Sequence, residues 1–199
     1  MANSALSTQP SALRRVVLTG GPGAGKTVVS AAVAAARPDR FVRVPEAATQ
    51  MYDLLGTRWD RLDLPGRRDI QRRIYRLQRQ QEDRLAAEFP GRVLLLDRGT
   101  VDGSAYWPDG PDDYWRDLGT TREAELARYD RVIWLQTAAA VGAYDGHSSN
   151  PCRFEDAAGA MASGQLLLKL WEGHPDLVVV DAYPTLEEKV AAVRRVLET

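Results

Sequence analysis

The segment Arg15-Val-Val-Leu-Thr-Gly-Gly-Pro-Gly-Ala-Gly-Lys-Thr27 leaves this chain little choice of local structure. An aliphatic run is broken by Gly20, Gly21, Gly23 and Gly25, and a stretch rich in alanine and valine follows from Val28 to Ala36. That order reads as a strand, a tight loop and a helix. The glycines let the backbone turn sharply and aim successive N–H groups into one concavity at the positive end of the helix dipole. Such a nest suits phosphate oxygens. The Lys26 ammonium can bridge the β- and γ-phosphates of a nucleoside triphosphate, and the Thr27 hydroxyl is a hard oxygen ligand for Mg²⁺. The pattern G-x-x-x-x-G-K-[ST] therefore assigns Gly20, Gly21, Pro22, Gly23, Ala24, Gly25, Lys26, Thr27 and Val28 to nucleotide binding. A Gly-rich turn that only caps a helix is the competing reading, and the strand and helix on either side tell against it.

Short runs rich in Val, Ile and Leu recur at Arg15 to Leu18, Phe41 to Val44, Arg92 to Leu96, Arg131 to Leu135 and Leu177 to Val180. Each is followed by a longer stretch with helical periodicity. The alternation predicts an α/β fold with a five-stranded, mainly parallel sheet and helices on both faces, and together with the phosphate-loop motif it is expected to be a three-layer sandwich of the P-loop NTPase type. With 199 residues and 44% hydrophobic content the chain suits one domain, large enough to bury about 70% of the surface its unfolded form exposes. We expect a disordered tail over residues 1–12 and one domain over 13–199. Thr120 with Glu123, and Thr185 with Glu188, have capping-box spacing, and Asn150 with Pro151 reads as an N-cap followed by the first helical residue.

Composition narrows the function classes. The single cysteine, Cys152, rules out an internal disulfide, and with only His147 and His174 beside it no zinc-ligand spacing is present. The first residues lack a basic start and an apolar signal core. The Val28 to Ala36 run is far short of the roughly 20 residues that cross a bilayer. The net charge is −1, with 26 basic and 27 acidic residues interspersed, which gives no general affinity for nucleic acid or anionic lipid. A soluble, cytoplasmic protein is expected.

Val93-Leu-Leu-Leu-Asp97 is an apolar run ending in an acid, as in a strand whose carboxylate supports Mg²⁺ directly or through water. Arg98 and Gly99 follow. A motor ATPase would usually carry a second acid after Asp97 to activate water, whereas a cation suits charge stabilisation on a moving phosphoryl group. The plainer alternative is that Asp97 caps the next turn and Arg98 pairs with a surface acid. The C-terminal ends of neighbouring parallel strands converge on the ligand crevice, so Glu46 and Asp97 should both approach the γ-phosphate. Glu46 also begins a helix, where its charge is favourable without any chemistry. The stretch 138–150 is rich in Ala, Gly and Ser, as a mobile lid over about 138–155 would be. Arg153 falls in a first helical turn, where a cation opposes the dipole; closing onto phosphates gives it a purpose, and pairing with Glu155 or Asp156 is the alternative.

The phosphate loop, Val44-Pro-Glu-Ala-Ala48 after the second strand, Leu96-Asp-Arg-Gly99 and Asn150-Pro-Cys-Arg-Phe-Glu155 together resemble the NadR-like P-loop ATPase/kinase group, relatives of the nucleoside and nucleotide kinases. The resemblance runs from about Arg15 to Leu197. It implies the P-loop fold, and it implies that Glu46 stands where related nucleoside kinases place the carboxylate that acts as base toward the acceptor hydroxyl. The group also contains nucleotide-binding proteins without an established acceptor.

Two segments invite other readings. Along Arg67 to Gln81, helical geometry puts Ile70, Ile74, Leu77 and Leu85 on one stripe and Arg68, Arg72, Arg76 and Arg79 nearly opposite. The arginines then form a solvated face rather than a nucleic-acid surface. Arg73 and Arg84 flank the apolar side and could reach toward an acceptor or form ordinary ion pairs. From Asp102 to Asp117, Tyr106, Trp107, Tyr114 and Trp115 either wall an acceptor pocket or pack an excursion onto the core or a partner subunit, a homodimer being compatible with both. The sequence thus points to a kinase that uses ATP, with GTP also admitted, and Mg²⁺ to phosphorylate a small, nucleoside-like hydroxyl acceptor. Its catalytic residues would be Lys26, Glu46, Asp97, Arg98 and Arg153, with Thr27 and Asp97 at the metal. The rival is a nucleotide-dependent switch with slow or no hydrolysis.

Overall fold

The computed structural model of the chain describes residues 13–141 and 157–198. Strands β1 (Arg15–Thr19), β2 (Phe41–Val44), β3 (Val93–Asp97), β4 (Arg131–Leu135) and β5 (Leu177–Val180) form one sheet in the order β2-β3-β1-β4-β5. Every pairing is parallel. The helices between them are α1 (Lys26–Ala36), α2 (Ala47–Leu55), α3 (Leu64–Glu88), α4 (Pro111–Leu118), α5 (Arg122–Leu126), α6 (Ala157–Trp171) and α7 (Leu186–Glu198). Because β1 pairs with both β3 and β4, the loop that leaves it emerges at the middle of the sheet. The register sets Leu18 beside Asp97 and Val44 beside Leu96, so β1, β2 and β3 end at one rim.

Alternate strand residues serve opposite faces. Val16, Leu18, Leu95, Ile133 and Leu135 pack with Val29 and Val33 of α1 and with Val193 and Leu197 of α7. Val17, Leu94, Leu96 and Val132 pack with Tyr75 and Leu85 of α3, Tyr114 and Trp115 of α4, and Leu170 and Trp171 of α6. The strands are therefore continuous apolar runs, as a sheet covered on both faces requires.

Three expectations need correction. The buried face of α3 is Ile70, Gln71, Tyr75, Gln78, Gln81, Glu82 and Leu85, whereas Ile74 and Leu77 are only partly covered. Apolar letters misplace the stripe because polar residues take its centre and find partners there. Gln78 Nε2 donates to Glu82 Oε1 (2.9 Å) and to the Arg98 carbonyl (3.2 Å), and Gln81 donates to Gln50 (2.8 Å). Nor are all the arginines a plain solvated face. Arg68 pairs with Asp109 and Asp113, Arg72 grips Asp117 through two 2.7 Å bonds, and both guanidinium groups lie over the Trp107 ring. They fasten α4 and the turn before it to α3. Finally, the cap of α5 is Thr121, whose side chain accepts from Ala124 N (3.1 Å), while Thr120 donates to buried Glu125 (2.8 Å). The Thr185 and Glu188 box forms reciprocally before α7.

On the face covered by α1 and α7, Leu95 of β3 is 0% exposed. Leu95→Ala should therefore lower the free energy of unfolding by about 2–5 kcal/mol, read from urea denaturation at an unchanged slope.

Candidate functional site: a phosphate loop beside a buried charge cluster

The loop from Gly20 to Gly25 leaves β1 and enters α1 with Gly25 as an N-cap that makes no side-chain cap bond, so the first amides of the helix remain available on the loop side. Its carbonyls, by contrast, are engaged from behind. Lys26 Nζ donates to Gly20 O (2.8 Å) and Gly21 O (3.0 Å), Thr137 Oγ1 to Pro22 O (2.7 Å), and Ala138 N to Gly23 O (3.4 Å). Lys189 Nζ donates to Ala24 O (3.2 Å), and Val29 N to Gly25 O (2.9 Å). Fixing the carbonyls on one side of the ribbon is what turns the N–H groups to the other. Gly20 has φ 132°, and a Cβ there would collide with the Leu135 carbonyl oxygen.

Beside the loop, β3 ends in Asp97, which is fully buried. Arg43 of β2 donates to Asp97 Oδ2 (3.3 Å) and to Ser30 of α1 (3.1 Å). Asp97 Oδ1 is buried without a hydrogen-bond partner among the described residues. The next residue, Arg98, adopts φ 75°, a left-handed conformation that a non-glycine residue takes at some cost. The turn sends its guanidinium back over the rim. Its Nε donates to Glu46 Oε1 (2.6 Å) and its other arm to Asp102 Oδ2 (3.2 Å). Asp102 sits in the 3₁₀ segment Thr100–Tyr106 and lies 2.9 Å from the Thr19 hydroxyl and 2.6 Å from Trp171 Nε1. Glu46 precedes α2 and also accepts from Thr49 (2.8 Å).

These charges set each other's ionisation. Burial, and then Arg98, push the Lys26 ammonium down to about 7, while Glu46, Asp97 and Asp102 pull the other way. An anion on the loop would reverse that fall. For Glu46, burial opposes ionisation, but the Arg98 guanidinium and Lys26, with hydrogen bonds from Thr49 and Arg98, hold its carboxyl below the ordinary glutamate range. Burial raises Asp102 against the pull of Arg98. The arrangement is a half-covered carboxylate, a fixed guanidinium and a poorly solvated lysine converging on one anion nest.

A family model described as an AAA domain matches residues 15–189. The chain belongs to that AAA-domain family. No curated protein matches it. Among solved structures, deoxyadenosine kinase from M. mycoides with products dCMP and a flexible dCDP bound is similar at a TM-score of 0.63 and 15% identity, over 92% of this chain and 98% of that one. NadR protein in complex with NR is similar at 0.64 and 16%, over 94% of this chain and 49% of that one, so this chain spans about half of NadR. NadR with NAD and AMP-PNP gives 0.63 and 16%, over 94% and 50%. The AAA-domain chain has a P-loop kinase-like fold, in keeping with the NadR-like resemblance of its motifs.

Of the residues singled out from the AAA-domain sequence, the fold brings Gly20 to Val28, Glu46, Asp97 and Arg98 to one rim. Arg153, the Asn150 and Pro151 cap and most of the expected lid lie outside the described residues. Arg98 pairs with Glu46 and Asp102, so its partners are site acids rather than a surface acid. Arg73 pairs with Asp69 and Arg84 with Glu88 in exposed ion pairs along α3. Trp107, Tyr114 and Trp115 are buried as packing. Tyr106 instead lies under the Arg98 guanidinium (5.7 Å) and meets Trp59 edge-on (6.3 Å). Sequence reasoning missed Arg43, Asp102 and Lys189. Asp102 had a signal, an i,i+4 spacing from Arg98; Arg43, the charged residue in an otherwise apolar strand, had a weaker one; Lys189 had none.

Gly20→Ala should lower the unfolding free energy by more than about 1 kcal/mol, because alanine can neither adopt this φ cheaply nor avoid Leu135. Denaturant titration checks this, and a variant as stable as the parent would show that the loop is free to move.

Proposed function

We propose that the chain is a kinase that uses ATP and Mg²⁺ to move the γ-phosphoryl group onto a hydroxyl of a small, nucleoside-like acceptor. The observation that carries this reading is Glu46: an ionised carboxylate tied to Arg98 at the rim that the phosphate loop shares. A hydroxyl attacking phosphorus must be aimed and must lose its proton, and both tasks suit a fixed carboxylate. Its guanidinium partner makes Glu46 a weak base, so orientation comes first and the proton follows as the new bond forms. The acceptor oxygen bonds to the γ-phosphorus, the bridging β–γ bond breaks, ADP leaves, and Glu46 takes the proton.

Lys26 lies against the loop and would trade its carbonyl contacts for phosphate oxygens. Arg98 offsets charge on the transferring group, and Arg153 takes the same role on sequence grounds. The donor set fits Mg²⁺: Asp97 keeps a buried carboxylate oxygen without a partner among the described residues, and Thr27, in the first turn of α1, has an exposed side chain. Among the described residues no group of three or more His, Cys, Asp or Glu could hold a metal. The remaining ligands of an ion held by Thr27 and Asp97 would then be phosphate and water oxygens, as Mg²⁺ prefers. When bound, the ion would neutralise charge on the β- and γ-oxygens. The structural likeness to deoxyadenosine kinase and to NadR bound to NR and AMP-PNP supports a nucleoside-like acceptor and an adenine nucleotide donor. No helix among the described residues is long and apolar enough to cross a membrane, which suits an enzyme of a soluble substrate.

A thermal-shift screen of nucleosides with Mg·AMP-PNP should identify the acceptor by stabilisation of the native state. With that acceptor, Glu46→Gln should lower kcat by about 10²–10⁴-fold and leave the Kd for Mg·AMP-PNP within a few fold. Normal turnover in Glu46→Gln would end its assignment as the proton acceptor.

A further inference from the structure

Lys189 belongs to α7, 165 residues along the chain from Ala24, yet its ammonium reaches the back of the phosphate loop. It is 5% exposed and donates to Ala24 O (3.2 Å) and to Gln136 O (2.8 Å), the residue that follows β4. The Gly25 side of the loop is also close, since a Cβ built on Gly25 would stand 3.9 Å from Lys189 Cδ. Among the described residues no carboxylate forms an ion pair with it, and burial alone accounts for the downward shift of its ammonium.

A buried ammonium held only by neutral carbonyls is a poor way to build stability, because its desolvation is not matched by an opposite charge. Two neutral donors would hold the same carbonyls without burying a charge. Lys26, the ammonium on the Gly20 and Gly21 carbonyls, differs in lying within the field of Glu46, Asp97 and Asp102. Among the described residues, what Lys189 lacks is an anion, and the nest whose carbonyl it grips is a place built for one.

We infer that Lys189 is a second lysine of the phosphate site, a positioning residue that holds Ala24 and Gln136 from behind the loop and whose charge is compensated by the bound triphosphate. The inference rests on the nucleotide-binding part of the proposed function and not on phosphoryl transfer. The residue couples α7 to the loop: helix and loop share one ammonium, so binding of a polyanion strengthens the tie between them. Its contribution falls on nucleotide affinity, because it touches neither acceptor nor leaving group.

The test compares Lys189→Met, which keeps length and burial but removes charge and donors, with Lys189→Gln, which removes the charge and keeps two amide donors on a side chain one atom shorter. Calorimetric titration with Mg·AMP-PNP should show Kd rising on the order of tenfold in both, with the KM for ATP rising in step and kcat retained. Without nucleotide, the melting temperature of Lys189→Met should equal or exceed that of the parent, since a buried uncompensated charge has been removed. A lower melting temperature with an unchanged Kd in both variants would overturn the inference and leave Lys189 as an ordinary structural tie. If Lys189→Met does not fold, Lys189→Gln decides alone: a parent-like Kd overturns, a weakened one supports. A parent that binds Mg·AMP-PNP without phosphorylating any acceptor would sink the kinase reading and leave this comparison valid.

Discussion

The Arg98 guanidinium is the contact on which the rest of the site depends. It joins Glu46, from the end of β2, to Asp102, from the segment after β3, and it does so beside Lys26. Remove it and two half-buried or buried carboxylates would face each other over a poorly hydrated rim, where like charges cost several kcal/mol in the low effective dielectric. The backbone is bent to keep it in place. Arg98 takes a left-handed φ, its carbonyl is held by Gln78, its amide by Leu18 O, and Gly99 behind it admits no larger residue without meeting the Trp171 ring at 2.9 Å. Local strain of this kind persists only where surrounding contacts over-determine it.

Behind Arg98 a second layer of buried polar groups does that over-determining. Glu82 accepts from Gln78, Tyr129 and Arg128, and Glu125 accepts from Tyr75, Thr100 and Thr120. Thr100 and Tyr129 link the two carboxylates. A buried network of this kind favours one arrangement, because any displaced member leaves a neighbour unpaired in a medium where that is expensive. The segment after β3 is therefore tied down by side-chain bonds although it contains no long regular element. The Arg98 side of the rim is built on this network, while the far side of the loop is held by α7 and the residues after β4 through Thr137, Ala138 and Lys189.

Much of this was legible in the sequence. The five strands were readable because a sheet covered on both faces must be apolar throughout, and runs such as Val93 to Leu96 have no other good use. The phosphate loop was readable because its glycines, lysine and threonine answer a local demand: the backbone must turn, expose its amides and meet phosphate within a few consecutive residues. Glu46, Asp97 and Arg98 were readable as candidates because parallel strands deliver their C-terminal ends to one crevice. All of these follow from short-range geometry or from topology, and neither depends on the identity of distant residues.

Tertiary structure decided the remainder. Whether Arg98 meets a surface acid or a site acid depends on which residues the 3₁₀ turn and α2 bring within 3 Å or so of a hydrogen bond, and letters alone do not carry that distance. Which face of α3 is buried was hidden because Gln78, Gln81 and Glu82 go inside only when partners from other elements are waiting. The arginines at 68 and 72 became clamps for the same reason, through aspartates on α4 and the turn before it. Lys189 is the extreme case: its meaning lies in two carbonyls far away in the chain. The sequence by itself determined the sheet, the loop and the rim, since these arise from local conformation and apolar burial; the pairing of charges on that rim was left to the fold, since electrostatics acts across space and not along the chain.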